Sequence, residues 1–458
     1  MIQIGDFYGM KQVATEEIVK GIAEVSGDIN PVHLDTAYAK GSMFGGKVAH
    51  GLFCLNMISA ILGNHLPGPG TILIAQDFKY KKPVYIGDEI ETKVSVESSV
   101  PEKSIYQLRT VCINQHGVIV LEGSSTVKWK KKQLQLSDYM ESIGGHLVKD
   151  GIFETLEYCT ADCADHFLTF LEEEKFLPRL SPQASCVLAT EALAGKLPAS
   201  AEGIVIAEEP KKSFVKLHNA LAQDKAAGYG RLRFDTVIGE GCQISPLASI
   251  AKQNVRIGNF VTIGDFAVIK ENVTIGDCST IHENCVIGGK SFNFARTKDG
   301  QMLGMADLGQ VILEDHVEVC SLCHIAGCPL PTDVTRLESG VKLDAMVHVG
   351  HGTKIGARTE VPAGAQIAGN CVIGEDAWIG VNATIANRIR IGSRGRVSLG
   401  AVVTQDVEDG QIVSGNFAVD HRRFLQELRE ANERAAKLPG GGVKPLNNLS
   451  VCFRKGAA

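Results

Sequence analysis

The chain has 458 residues, 44% hydrophobic and 21% charged, with 49 Gly and 15 Pro; that length exceeds a single core and predicts two or three domains, and the ordinary apolar content excludes a disordered or fibrous protein. A formal charge of −6 argues against general nucleic-acid binding, and 6% aromatic residues with abundant Gly suit repetitive β structure better than a helical bundle.

The opening residues MIQIGDFYGMKQ include an acid and lack the basic flank and apolar run of a secretory signal. No uncharged apolar run reaches the ~18 residues that point to a membrane span. The 13 Cys are odd in number and scattered without a framework spacing, so reduced thiols in a cytoplasmic protein are expected.

Residues 1–132 read as an α+β unit. A helical apolar stretch precedes strand-like runs at 71–78, 89–97, 105–114 and 117–128, with turns at Asp88 and His116-Gly117. Lys128-Trp129-Lys130-Lys131-Lys132 closes this segment. Residues 133–227 mix short helical and strand signals and end in a helix at Pro210–Gln223, where Phe214, Leu217, His218 and Leu221 recur at helical spacing.

From about residue 232 the pattern changes. Ile257, Ile263, Ile269, Ile275, Ile281 and Ile287 keep a period of six, which resumes at Leu343, Val349, Ile355 and Val361 and continues to Val403. Such hexads build a parallel β-helix whose prism faces each take one hexad, with the aliphatic residue turned inward; stacked coils bury a core that no single coil can. The prism is expected over 228–418, with a charged helix at 419–437 inside a C-terminal segment 419–458. It is interrupted at 288–311, which contains Ser291-Phe292-Asn293-Phe294, and at 326–336. Loops leaving a rigid scaffold commonly carry function.

The first candidate constellation is Ser26-Gly27-Asp28-Ile29-Asn30-Pro31-Val32-His33-Leu34-Asp35. A Pro-stiffened turn can aim a carboxylate and an imidazole into one cleft, where together they position and deprotonate water. Val48-Ala49-His50-Gly51 then opens an apolar helix whose first amides suit an oxyanion. This segment, with Leu66-Pro67-Gly68-Pro69-Gly70-Thr71 and Pro83-Val84-Tyr85-Ile86-Gly87-Asp88, resembles the MaoC-type (R)-specific enoyl-CoA hydratases of the hot-dog fold. The resemblance implies that Asp28 and His33 activate water for syn addition to a trans-2-enoyl thioester, that Asn30 orients them, and that the Gly51 N–H holds the thioester oxygen. It also places Thr71 near the active site. Lys79, Lys81 and Lys82 read equally as contacts for coenzyme A or carrier-protein phosphates and as a solvated face.

The second constellation is Lys342-Leu343-Asp344-Ala345-Met346-Val347-His348-Val349-Gly350-His351-Gly352. A His on the prism can take a proton from an amine attacking a thioester; the spacing also allows metal binding, without an evident third ligand. Residues 133–437 resemble the UDP-3-O-acylglucosamine N-acyltransferases: a uridine-binding α/β domain, a left-handed β-helix and a C-terminal helix, acting as trimers. Leu168-Thr169-Phe170-Leu171 with Lys175-Phe176, the run Gly288-Gly289-Lys290-Ser291-Phe292-Asn293-Phe294, and 342–356 carry the match, and Ser414-Gly415-Asn416 resembles the turn closing the last coils. The resemblance implies His351 as general base, His348 as a substrate contact, the Gly369 amide as oxyanion donor, Phe170 and Phe176 as a uracil clamp, and Phe292 and Phe294 as binding residues. Arg388 stands where the family has a second His, Ala345 replaces an Asn, and Glu173 replaces an Asn of the uridine site. The acceptor pocket is therefore expected to differ.

Cys320-Ser321-Leu322-Cys323-His324 has the letters of a haem attachment site but falls in the hexad series of Leu313, Val319 and Ile325 and reads as prism; Cys159 and Cys163 are too isolated for zinc. The combined expectation is a bifunctional enzyme. It would make an (R)-3-hydroxyacyl thioester and transfer that acyl group to the amine of a UDP- or other nucleotide-linked amino sugar. The donor is carried on coenzyme A or acyl carrier protein, with no permanently bound cofactor or metal. The rivals are a hydratase on a non-catalytic trimeric scaffold, and a lipid A-type N-acyltransferase whose hot-dog domain only binds the thioester. Dimeric hot-dog units and trimeric prisms together predict a dimer of trimers.

Overall fold

The computed structural model describes residues 2, 4–162, 166–224, 227–231, 233–415 and 420–436. Cys163, Asn416, the side chains of Phe424 and Leu425, and everything after 436 lie outside the described residues. Among the described residues no helix is long and apolar enough to cross a membrane.

Strands β1 (Phe7–Val13), β2 (Ile72–Tyr80), β3 (Glu89–Val100), β4 (Ile105–Asn114) and β5 (Ile119–Lys128) form one antiparallel sheet ordered β1-β3-β4-β5-β2. The sequence reading overlooks β1, whose apolar alternation is broken at Gly9; it pairs with β3 from Phe7↔Ser95 to Val13↔Glu89. Four helices lie between β1 and β2: α1 (Glu16–Ser26), α2 (Pro31–Leu34), α3 (Thr36–Gly41) and α4 (Leu52–Asn64). The Thr15 side chain accepts the Ile18 N–H to start α1, and Gly27 ends it at φ 74 in the left-handed region. Helix α4 is apolar nearly all round, as a central helix must be. Its Phe53, Met57, Ile58 and Ile61 are buried against Ile90, Val94, Leu108 and Leu121 of the sheet, the hot-dog arrangement. Each such side chain contributes roughly 1.5–3 kcal/mol by leaving water.

The middle segment holds a second sheet. Thr155–Leu156, Phe167–Leu171, Ala184–Ala189 and Gly203–Ile206 run parallel, and His146–Lys149 closes the edge antiparallel. The helix Pro210–Gln223 has the expected bounds and buries Phe214, Leu217, His218 and Leu221.

The hexads form three parallel sheets of eight, nine and eight short strands, one per prism face. Ile355 stacks on Ile373 and that on Ile391 along one face; Val349, Ile367 and Ile385 line another. Gly follows the aliphatic residue because coils approach closely there: a Cβ on Gly356 would stand 2.5 Å from the Glu375 nitrogen. Asn370 (φ 58) and Asn382 (φ 53) occupy corner positions in the left-handed region, which Asn tolerates best after Gly.

The first interruption is not structureless. It contains a hairpin, Phe294–Arg296 with Met302–Gly304, that sequence periodicity does not reveal. The helix Pro210–Gln223 pins it. Asn219 Nδ2 donates to the Gly304 carbonyl (2.8 Å) and Asn219 Oδ1 accepts the Ala306 N–H (2.9 Å). His218 bonds the Ala306 carbonyl through Nε2 and the Tyr229 hydroxyl through Nδ1, both at 2.9 Å. The middle domain thereby fixes the loop that carries Phe292 and Phe294.

Candidate active sites

At the first site, the segment between α1 and α2 forms a tight, self-bonded turn. Asn30 N–H donates to Asp28 Oδ1 (3.2 Å), and Asn30 Oδ1 caps α2 by accepting the Val32 N–H (3.3 Å). Asn30 thus shapes the turn that separates Asp28 from His33. His33 Nδ1 lies 2.7 Å from the Val48 carbonyl, which can only accept, so Nδ1 carries the proton and Nε2 is left with a lone pair. That Nε2 faces Asp28 Oδ2 at 3.9 Å, a gap that both atoms can fill by bonding one water.

His50 packs against His33 with ring centroids 3.9 Å apart and the planes tilted by 31°, and its Nε2 donates to the Asp28 carbonyl at 2.9 Å. It is 3% exposed, and its Nδ1 is buried without a partner among the described residues. Sequence reasoning passed over His50 as a site residue; its place directly before Gly51 was the available signal. Gly51 precedes α4, and a Cβ there would sit 3.0 Å from the Tyr80 hydroxyl oxygen, so any larger residue would have to push the Tyr80 ring aside. Its N–H has no hydrogen-bond partner among the described residues. His33, His50 and Gly51 line a cavity of about 520 Å3 with Val48, Cys54 and Val84. Lys81 and Lys82 also line it, Lys81 while paired with Glu122 at 2.8 Å. Thr71 is not brought to this cavity within one chain: its hydroxyl donates to the Gly68 carbonyl at 2.6 Å.

The second site is assembled from three distant segments. Phe170, Phe176, Phe292, Phe294, His348, His351, Gly369 and Arg388 all line one cavity of about 940 Å3 between the middle domain and the prism. At one end Phe170 packs on Phe214 with centroids 5.0 Å apart, near Phe176, Arg179 and Lys211. Glu173 is engaged by Lys175 at 2.6 Å.

At the other end His351 lies against Gly369, where a Cβ would stand 2.7 Å from His351 Nε2. The Gly369 N–H has no hydrogen-bond partner among the described residues. Burial holds His351 below the ordinary histidine pKa, a shift that Asp307 opposes and Arg388 reinforces. His348 is likewise lowered by burial; its Nδ1 meets His324 Nδ1 at 3.2 Å, so one of the two rings donates and the other accepts. Two neighbouring acids, Asp307 and Asp333, were not anticipated. Lys290 pairs with Asp307 at 2.9 Å and Asp307 also accepts the Ser291 N–H at 3.2 Å; Asp333 lines the cavity with its pKa raised to about 6 by burial. Their signals were weak, since both acids lie in the two interruptions and outside any hexad.

Residues 10–114 match the MaoC-like domain family, and 254–289 match the six-repeat bacterial transferase hexapeptide family. The chain is 41% identical over 123 residues to a 3-hydroxybutyryl-CoA dehydratase of Methylorubrum extorquens, covering 27% of this chain and 77% of that one. The chain belongs to the MaoC-like family. The similarity lies wholly within its first domain. A solved (R)-hydratase from A. caviae involved in PHA biosynthesis is 32% identical, with a TM-score of 0.28, covering 28% of this chain and 98% of that one. A UDP-3-O-acylglucosamine N-acyltransferase of Rhizobium meliloti is 35% identical over 150 residues, covering 33% of this chain and 42% of that one. A MaoC-like domain is thus joined to a hexapeptide-repeat, acyltransferase-like region.

Proposed function

We propose that the first site hydrates a trans-2-enoyl thioester to an (R)-3-hydroxyacyl thioester and that the second transfers this acyl group to the amine of a nucleotide-linked amino sugar. The observation that carries the reading is the pairing of a free His33 Nε2 with Asp28 Oδ2 across 3.9 Å, near the unpartnered Gly51 N–H. His33 takes a proton from water as the water oxygen bonds to C3, Asp28 accepts the other water proton as a hydrogen bond, and Gly51 steadies the enolate oxygen. The proton then returns to C2 from the same face.

In the prism, His351 takes the proton of the amine as nitrogen attacks the thioester carbon, the Gly369 N–H stabilises the oxyanion, and the thiolate leaves. Its low pKa keeps His351 neutral and able to act as base near pH 7. Phe170 and Phe176 hold the nucleotide base, with Arg179 and Lys211 available to its phosphates; His348, Arg388, Phe292 and Phe294 bound the sugar and acyl groups. The donor is coenzyme A- or carrier-protein-linked, and the reaction belongs in the cytoplasm. Assembly as a dimer of trimers is supported by edge strand β2, whose Ile72, Leu73 and Ile74 are exposed; a monomer by light scattering would refute that assembly.

Purified protein with crotonyl-CoA and a panel of UDP-amino sugars, followed by mass spectrometry, tests the reading. A hydroxyacyl amide on the sugar, lost in His351→Ala and separately in Asp28→Asn, is expected. Hydration with no acylated sugar would confine the activity to the first domain.

A further inference from the structure

The Cys320 run that the hexads absorb into the prism wall places its thiol beside two other donor side chains. Ile281 stacks on Val319 and Val319 on Leu343 in successive coils. The residue after each occupies one corner column: His282, Cys320 and Asp344. The His282 N–H donates to the Val319 carbonyl at 2.9 Å and the Cys320 N–H to the Leu343 carbonyl at 2.8 Å, which fixes the column. Glu318 projects beside it, with its Oε1 3.2 Å from His282 Nε2. The donor atoms of His282, Glu318 and Cys320 all lie within 4.8 Å of one another, and all three residues are half-buried. None of them lines the two cavities described above.

We propose that His282, Glu318 and Cys320 form a binding site for a zinc-class divalent cation, with a fourth position open to water or to Asp344. Two donors bound ~2.0–2.1 Å from zinc at a tetrahedral angle sit about 3.3 Å apart, which matches the His282–Glu318 separation. Imidazole, carboxylate and thiolate are the donor set that borderline-soft zinc accepts and that calcium or magnesium does not. The charges also close. Lys342 Nζ holds the other oxygen of Glu318 at 3.2 Å. A dication and Lys342 then balance Glu318, Asp344 and the Cys320 thiolate. Binding displaces the Cys320 thiol proton to solvent and changes no oxidation state.

The placement gives the cation a structural consequence. His282 precedes the first interruption and Cys320 follows it, so the metal ties together the two coils between which the loop bearing Phe292 and Phe294 departs. Closing such a long loop restricts the unfolded chain most.

Full-length protein, stripped with chelator and titrated with Co2+, tests the site. Expected are one equivalent bound with a near-ultraviolet thiolate-to-cobalt band and the intense visible bands of a four-coordinate ion, all displaced by Zn2+. The thiolate band should vanish in Cys320→Ser, and affinity should fall at least tenfold in both His282→Ala and Glu318→Gln. It should be unchanged in Cys278→Ser and in His33→Ala, since the Asp28, His33 and His50 cluster is a second set of metal donors without a thiol. Far-UV circular dichroism establishes that each variant is folded. Binding with no thiolate band, a band that survives in folded Cys320→Ser, or a band unaffected by Glu318→Gln would each overturn the proposal.

Discussion

Under the proposed function the two sites solve the same problem, holding a base near an oxyanion donor, from opposite directions. The hot-dog site comes from one short stretch: Asp28, His33, His50 and Gly51 lie on a turn and the start of one helix, and local hydrogen bonds from Asn30 and Val48 fix their geometry. The prism site draws on the middle sheet, the first interruption and the corners of several coils, and its geometry depends on tertiary contacts such as those of His218 and Asn219. A local site survives transfer between proteins as a unit. A dispersed site can change its acceptor by altering one contributing segment while the base remains.

The sharpest way to break this comparison is to disable one site and leave the other intact. Asp28→Asn should lower enoyl-thioester hydration by roughly 10²–10⁴ while leaving transfer from a ready-made (R)-3-hydroxyacyl donor intact. Steady-state rates with enoyl and hydroxyacyl donors, measured side by side, check it. If the hydroxyacyl donor is also lost, the first domain must take part in transfer itself.

Next in size is Gly369→Ala. The new methyl would stand 2.7 Å from His351 Nε2, so the ring must move. A displacement near 1 Å at a catalytic base is enough for roughly 100-fold loss of transfer, seen in kcat with hydration unchanged. A variant of normal transfer rate would show that His351 has room to act from another position.

How much of this was legible depends on the range over which each feature is encoded. The prism was readable to the residue because its period of six recurs whatever else the chain does, and Ile257 and Ile275 pair as that period demands. Asp28 and His33 were readable from the motif around them and not from their spacing alone, and because that motif is local the structure brings the two side chains to 3.9 Å. Strand β1 was not, since Gly9 interrupts its alternation. The hairpin 294–304 and Asp307 were not, since the helix Pro210–Gln223 holds their loop through Gly304 and Ala306; Asp333 was not, since it lies in the second interruption, outside any hexad. Thr71 was suggested by resemblance alone, and in one chain its hydroxyl closes a turn away from the cavity. The roles of Phe170 and Phe176 likewise came only from resemblance, although both do reach the cavity of His351.

A smaller effect separates the second site by pH. Because His351 must be neutral to act, transfer should rise as pH increases through its depressed pKa, with the midpoint of the limb below the ordinary histidine value of about 6.5. Arg388 contributes to that depression. Removing its charge in Arg388→Gln favours the imidazolium, so the acid limb of kcat should move to higher pH, read from the pH–rate profile independently of any loss in substrate binding. A limb that stays in place would mean that Arg388 does not act on His351 electrostatically.

The smallest effect concerns the scaffold between the sites. Glu157 is 2% exposed and takes a hydrogen bond from Thr332, yet burial raises its pKa from 4.5 to about 7, with Thr332 and Lys131 opposing and Asp333 adding to the rise. Between those two values the folded state binds more protons than the unfolded state, so stability falls as pH rises across the window. A shift of that size corresponds to about 3 kcal/mol once both states are ionised. Glu157→Gln keeps an acceptor for Thr332 and removes the ionisation. Its melting temperature should therefore match the native chain near pH 4.5 and exceed it by a few degrees above pH 7, with both activities retained. Equal melting curves at pH 8 would show that Lys131 neutralises the buried carboxylate in full, and would turn this junction from a cost on the fold into a paired contact between the linker and the middle domain.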